Sequence, residues 1–484
     1  FDKEPASSLL GEIAPLTALT LEALDALPPP ALQGCTREAA VSKVFFGSEV
    51  PIEELRQAVA KSWLEDFSLD HLAYLAGGEE EKQRIIEAAP QLQDKDFLVP
   101  RRDRPKAWMV GAALSSEDGS VLPFAVTPSR VSAPADEDSS PRPSEAVVYP
   151  FYRDLERNSL FSRGEVETFA FGGREALSID SPPFQPGSPV IRLAAPTEPF
   201  SLSDALTMSG LSAAAQLFPG LPKPARWPVK DVTGLSSGED VSFVSGDVAD
   251  SSGLLTLLQR GIRRIVWLEL GPGDGSPNAR IQPFSKDVLR KFGCTGYGET
   301  SCHGQQAKKT PLAVCRRRNT KRQIKEPQRK TQVFQDSQLP SLILHLQQML
   351  KQGSPGILRR SLQVLPNKRW CIKGGFTLEL LLIHIDKVES FERELPEETR
   401  AELEKGDEGS LQGFPFFHPW ALAGHLAKLS HRQANLLAAL AEHIVGQALP
   451  SIRSLIRPPV PPLQMSFAQK LLEQPTTEST VHKV

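Results

Sequence analysis

Several groups of residues in this chain have the types and spacing that chemistry requires. Gly234-Leu235-Ser236-Ser237-Gly238 is a literal G-x-S-x-G, the spacing of a nucleophilic serine on a sharp turn. Such an elbow needs an apolar strand before the serine and a helix after it. Here Pro228, Lys230 and Asp231 precede the serine and a strand pattern comes after it, so a surface loop is expected. Cys294, Cys302, His303 and Cys315 offer metal ligands. Zinc fingers and ribbons need closely spaced Cys pairs that close small chelate loops, and these spacings are wider, so no metal and no cofactor is expected. Lys308 to Lys330 carries ten Lys/Arg against a single Glu, enough charge to meet phosphate. No aromatic residue sits between them to stack on bases, so a solvated insertion is expected and no nucleic acid partner. The last group is Ser245, Asp247, Asp250, Ser251 and Ser252, hydroxyls and carboxylates gathered where a strand gives way to a helix. Open α/β sheets place their chemistry at that point, the carboxyl end of a strand.

The elements around this last group are the best patterned in the chain. Val241 to Val244 reads as a short strand, followed by a tight turn at Ser245 to Asp247. Gly253 to Gln259 reads as a helix closed by Gly261 in the C-cap position, with Asp250 and the Ser251-Ser252 pair as its N-terminal caps. Arg264 to Leu270 supplies a buried strand, completing a βαβ pattern. Upstream, Ser201 with Asp204 resembles a capping box opening a helix that ends near Gly210. Ile52, Leu55, Val59 and Trp63 recur at helical spacing, and a second helix runs from Glu79 to Ala89, stopped by Pro90. Runs of strand length occur at Ala107 to Leu114, Ala146 to Phe151 and Glu167 to Phe171, with a surface loop from Ser129 to Pro143. Downstream, helices are expected at Leu339 to Leu350 and Arg432 to Leu449, with a strand pair around Gly374-Gly375 between Cys371 and Ile385.

Composition bounds the partners. A net charge of -3 gives no global attraction to nucleic acid or an anionic membrane. Five Cys, an odd number widely scattered, form no disulfide framework and point to a reducing compartment. No stretch approaches the roughly 20 continuous apolar residues of a membrane span, and no signal pattern opens the chain, so a cytoplasmic or peripheral membrane location is expected.

Val244-Ser245-Gly246-Asp247-Val248-Ala249-Asp250-Ser251-Ser252-Gly253-Leu254-Leu255, running through Gln259-Arg260-Gly261 into the strand Arg264 to Leu268, resembles the patatin-like and cytosolic phospholipase A families of acyl hydrolases. Phe200 to Gly210, Glu167 to Gly173, Trp370 to Phe376 and Gln433-Ala434-Asn435-Leu436-Leu437 are similar to further blocks of those families. The resemblance implies an α/β fold, a three-layer sandwich with a mostly parallel central sheet and added helical segments. It divides the chain into a catalytic-type domain over 1–293, a basic low-order insertion over 294–338, a continuation of the domain over 339–457 and a disordered tail over 458–484.

The activity implied is lipid acyl ester hydrolysis by a Ser–Asp dyad, in which the Asp takes the proton of the attacking Ser and Gly backbone N–H groups hold the oxyanion. The sequence departs from this on three counts. It contains no Gly-rich oxyanion run and no elbow Ser in strand–turn–helix context. Both lie upstream in the family, so a chain opening at Phe1 without Met is expected to be a fragment or a processed form. The dyad Asp position, at the end of Val241 to Val244, holds Ser245, whose hydroxyl is far too weak an acid to serve as the base. Asp247 lies two residues on and, along an extended strand, points to the same side. A misplacement of ~1 Å can cost on the order of 10²-fold in rate. Ser245 and Asp247 are therefore the candidate catalytic positions. Two readings result: an impaired hydrolase acting on a lipid or acyl ester with peripheral membrane contact, and a non-catalytic relative binding lipid or a protein partner.

Overall fold

The computed structural model describes residues 6–11, 14–36, 52–101, 107–115, 121–133, 164–172, 176–180, 190–193, 196–210, 225–230, 236–270, 284–294, 331–367, 370–417 and 429–456. The chain opens with α1 (Ala6–Leu10), α2 (Leu21–Asp25), α3 (Pro30–Thr36) and α4 (Ile52–Trp63). Next come β1 (Tyr74–Leu75), α5 (Glu79–Ala88), β2 (Phe97–Leu98), β3 (Val110–Ser115), β4 (Val121–Val126), β5 (Arg130–Ala133) and β6 (Gly164–Glu167). They are followed by β7 (Ala176–Asp180), β8 (Val190–Leu193), α6 (Leu202–Gly210), β9 (Ala225–Lys230) and β10 (Ser236–Ser245). The middle of the chain holds α7 (Asp247–Asp250), α8 (Leu254–Gln259), β11 (Arg264–Leu270), α9 (Lys286–Lys291) and α10 (Leu339–Lys351). The last elements are β12 (Gly356–Gln363), β13 (Thr377–Ile385), α11 (Glu389–Glu394), α12 (Glu397–Glu404) and α13 (His431–Ile456).

Helices and strands are mixed, as an α/β-type chain requires. The sheet order differs from the expected one. The largest sheet runs β6-β5-β4-β3-β10-β9 and is antiparallel throughout. Among the described residues, parallel pairing occurs only between β1 and β2 and between β11 and β13. The mostly parallel central sheet is thus corrected. The reason lies in the connections: β4 and β5 are separated by three residues, Thr127 to Ser129, and so short a link joins only antiparallel neighbours. β10 and β11, read as one βαβ unit, lie in different sheets.

The second sheet, β11-β13-β12, adheres to the layered pattern more closely. β13 is Thr-Leu-Glu-Leu-Leu-Leu-Ile-His-Ile, the near-continuous apolar run of a strand buried on both faces. Leu378, Leu380 and Leu382 pack on one side with Leu255 of α8, Leu289 of α9 and Leu346 of α10. Leu381 and Ile383 pack on the other with Leu24 of α2, Phe391 of α11 and Leu436 and Leu440 of α13. Helices therefore cover both faces. A separate core under the six-stranded sheet is built on Phe124, Phe171 and Phe243, with ring centroids 5.0 to 5.9 Å apart.

The core on the Leu381 side of β13 draws α2 and α13 together. Asn435 Nδ2 donates to the carbonyls of Leu24 and Ala26, each at 2.9 Å, and Arg432 pairs with Asp25. Thr399 Oγ1 donates to the Leu19 carbonyl at 2.7 Å.

Local signals are well obeyed elsewhere. Ser201 N donates to Asp204 Oδ2 and Asp204 N to Ser201 Oγ, the reciprocal capping box. Two expected strands are corrected. Thr168–Ala170, within Glu167 to Phe171, is a 3-10 turn rather than a strand. Around Gly374-Gly375 there is no strand pair, because both glycines have positive φ (65° and 74°) and shape a loop; the partner of β13 is β12. No helix among the described residues is long and apolar enough to cross a membrane. Ala146 to Phe151, the basic run Lys308 to Lys330 and the tail from Pro458 lie outside the described residues, as does most of Ser129 to Pro143.

Candidate functional site

β10 ends at Ser245, which pairs in register with Ala112 of β3. Gly246 then adopts a right-handed helical conformation (φ -62°, ψ -24°), and its carbonyl accepts from Ala249 N at 3.0 Å and Asp250 N at 2.7 Å. The turn lies directly on β3: a Cβ at position 246 would sit 2.6 Å from the carbonyl carbon and oxygen of Gly111. Only glycine fits without moving backbone. The buried Asp250 organises the start of α8. Its Oδ2 accepts from Leu255 N at 2.8 Å and its Oδ1 from Ser252 Oγ at 2.7 Å, while Ser252 Oγ accepts from Leu254 N. These bonds satisfy the free N–H groups at the start of α8, as the sequence anticipated for Asp250 and Ser252. At the other end Gly261 has φ 68°, Gly261 N donates to Leu258 O and Ile262 N to Leu257 O, a Schellman closure.

The Asp250 carboxylate has a further partner that the sequence reading missed. Lys291, the last residue of α9, is 0% exposed and its Nζ lies 2.9 Å from Asp250 Oδ1 and 2.8 Å from Asp287 Oδ2. Burying an ammonium is tolerable only with such close anionic partners. The Lys291 carbonyl accepts from both Val333 N and Phe334 N at 2.9 Å, so this one residue joins the turn, α9 and the segment entering α10.

Beside this ion-pair group, at the carboxyl end of β11, lies Glu269. Burial raises its carboxyl to about 8, opposed by hydrogen bonds from Ser285 and by the charge of Lys291 and reinforced by Asp287. Ser285 N approaches Oε1 at 3.5 Å, and Oε2 has no hydrogen-bond partner. Glu269 is in register with His384 of β13. His384 is fully buried, neither ring nitrogen has a hydrogen-bond partner, and burial lowers it to about 4. Its Nε2 is 3.8 Å from Asp386 Oδ2; with the imidazole neutral above about pH 4, that approach is no ion pair at neutral pH.

The structure separates the two candidate catalytic positions. Ser245 closes β10 and Asp247 opens α7, with the chain bending at Gly246 between them. The chain leaves the extended conformation at Gly246, as the tight turn expected at Ser245 to Asp247 requires, so strand alternation does not relate the two residues. Ser236, Ser237 and Gly238 are strand residues of β10, which places the G-x-S-x-G serine at a strand start rather than on an elbow. Gly234, Leu235, Cys302, His303 and Cys315 lie outside the described residues, and among the described residues no group of three or more His, Cys, Asp or Glu is placed to hold a metal. A hydroxyl–imidazole approach elsewhere, Ser390 Oγ to His443 Nε2 at 3.4 Å, is not a nucleophile pair: Gln447 Nε2 already donates to that nitrogen at 2.8 Å.

Two signals for the missed residues were present in the sequence. Asp287 and Lys291 are an i,i+4 pair on a short helix, and Glu269 is an acidic residue at an inward position of the alternating strand Arg264–Leu270. Nothing local says that Lys291 would meet Asp250. No protein-family model matches the chain, and neither a curated protein nor a solved structure matches it.

Proposed function

We propose that this chain is a lipid acyl hydrolase-type domain on the patatin-like, three-layer plan, and that it binds acyl lipid without hydrolysing it through a Ser–Asp dyad. The observation that carries the reading is the turn Ser245-Gly246-Asp247 at the carboxyl end of β10, followed by a capped helix and β11. A strand end is where the dyad Asp would act as base, yet the strand-terminal residue is Ser245. The β11–β13 pair with helices on both faces is the part of the structure that accords with such a plan; β10, which carries the turn, belongs instead to the antiparallel six-stranded sheet. A hydroxyl cannot take the proton from an attacking serine near neutral pH, so an acyl ester held here would persist.

A hydrolytic alternative rests on one feature, that Asp247 comes only two residues after the strand end. The test offers the full-length protein a fluorogenic acyl ester and, separately, vesicles carrying a fluorescent acyl lipid. The proposed reading expects saturable lipid binding and no turnover above blank. Turnover abolished by Asp247→Asn and retained in Ser245→Ala establishes the hydrolytic alternative instead. Neither binding nor turnover removes both.

A further inference from the structure

The carboxyl ends of β11 and β13 gather polar side chains on one face of their sheet. Glu269 and His384 are register partners on these parallel neighbours. Ile265 and Trp267 precede Glu269 in its row, and Leu380 and Leu382 precede His384 in the other. Both rows belong to one core, so the carboxyl and the imidazole face the same side. A single dipeptide meets both groups. Phe284 packs T-shaped on the His384 ring with centroids 6.2 Å apart, and Ser285 N approaches Glu269 Oε1 at 3.5 Å. Asp386 Oδ2 lies 3.8 Å from His384 Nε2, and its side chain is 23% exposed where that of His384 is 0%, so the polar row runs inward from the surface.

Buried polar atoms in folded proteins are nearly always hydrogen-bonded. Glu269 Oε2 and both ring nitrogens of His384 are buried without a partner, on adjacent strand ends. The carboxyl end of parallel strands is also where open α/β sheets receive ligands. We infer that Glu269, His384 and Asp386 form a binding site for the hydroxyls of a small neutral polyol, a molecule of glycerol size. The donor set selects this chemistry. A neutral imidazole offers one donor and one acceptor, a protonated carboxyl adds a donor, and the Asp386 carboxylate adds an acceptor. Burial keeps Glu269 protonated and His384 neutral at neutral pH. A hydroxyl both donates and accepts, so two vicinal hydroxyls answer the whole set. An anion does not suit it, because Asp386 and Asp287 repel it and Lys291 is already held by Asp250 and Asp287. Among the described residues no group of His, Cys, Asp or Glu is placed to hold a metal. The site belongs to the β11-β13-β12 sheet and not to the sheet that carries Ser245, so it stands apart from acyl-lipid binding.

Nitrogen NMR of the histidine side chains in the full chain reads the site directly, with the His384 signals assigned by their loss in His384→Phe. Titration with glycerol at millimolar concentration is expected to shift both His384 ring nitrogens saturably, while glycerol 3-phosphate leaves them in place. Glu269→Leu should weaken glycerol binding by about tenfold, the worth of the hydrogen bond it deletes. Should that variant fail to fold, Asp386→Ala takes its place and is expected to weaken binding likewise, since Asp386 lies beyond the end of β13. His384 shifts that stay fixed, or that drift linearly with glycerol, overturn the proposal, the former marking an internal water site only. A saturable shift of equal affinity in the wild type and in the variant also overturns it, as does a response to glycerol 3-phosphate equal to that for glycerol. Acyl-lipid binding by the same protein is measured separately, so failure of one reading is distinguishable from failure of the other.

Discussion

Replacing Glu269 by Gln removes an ionisable group without changing the shape of the side chain, and its effect on global stability can be worked out. The carboxyl is raised from 4.5 to about 8, chiefly by burial. Between those values the folded protein holds a proton that the unfolded chain releases, so stability falls as pH rises through the window. Each pH unit within it contributes about 1.4 kcal/mol, which makes the burden of Glu269 on the order of 3 kcal/mol at pH 7 and about 5 kcal/mol at pH 9, vanishing near pH 4. Glutamine does not titrate, and its carbonyl oxygen can still accept from Ser285 N. The expected result is a variant equal to the wild type near pH 4 and more stable by an increasing margin to pH 9, measured by urea denaturation at a series of pH values. If the two curves run parallel from pH 4 to 9, the Glu269 carboxyl ionises as readily in the folded chain as in the unfolded one, and the reasoning about its burial is wrong.

The mirror case is His384, held down to about 4 by burial. Here the folded protein binds fewer protons than the unfolded chain between about 4 and 6.5, so stability falls as pH drops through that window; His384→Leu is expected to remove that acid-side slope in the same denaturation series. Gly246→Ala places a Cβ 2.6 Å from Gly111 backbone atoms and should destabilise by about 1–3 kcal/mol, read as a lower urea midpoint. Asn435→Ala deletes two hydrogen bonds to the Leu24 and Ala26 carbonyls, for a loss of about 1–3 kcal/mol and faster limited proteolysis between residues 16 and 26. Leu382→Ala empties a fully buried site in β13 and should cost about 2–5 kcal/mol by the same denaturation.

Features decided by neighbours in the chain were legible in the sequence. The Ser201–Asp204 box and the Gly261 closure are each specified within a few residues and occur at the expected positions; Arg264–Leu270 is the expected strand, but it alternates rather than being buried throughout, with Leu268 half exposed. β10 was only half visible. Its first five residues, Ser-Ser-Gly-Glu-Asp, carry no apolar alternation, and they are extended because Ala225–Lys230 pairs with them. The stripe Ile52, Leu55, Val59, Trp63 marked the right helix, yet Trp63 is half exposed while Arg56 on the same helix is buried, its Nη1 3.6 Å from Asp204. That pairing depends on α6, far along the chain. The candidate site divides in the same way: the caps of α8 were legible, whereas Lys291, Glu269 and His384 acquire their character only from being packed together.

The bonds from Asn435 to Leu24 and Ala26 span 411 and 409 residues. During synthesis at ~5–20 residues per second, α2 leaves the ribosome roughly 20 to 80 seconds before its partner on α13 exists. Through that interval Leu24 has no α13 to cover it, whereas the Leu381–Ile383 face of β13, made roughly 50 residues before Asn435, waits on the order of 3 to 10 seconds. The core on that face of β13 can close only after translation has passed α13.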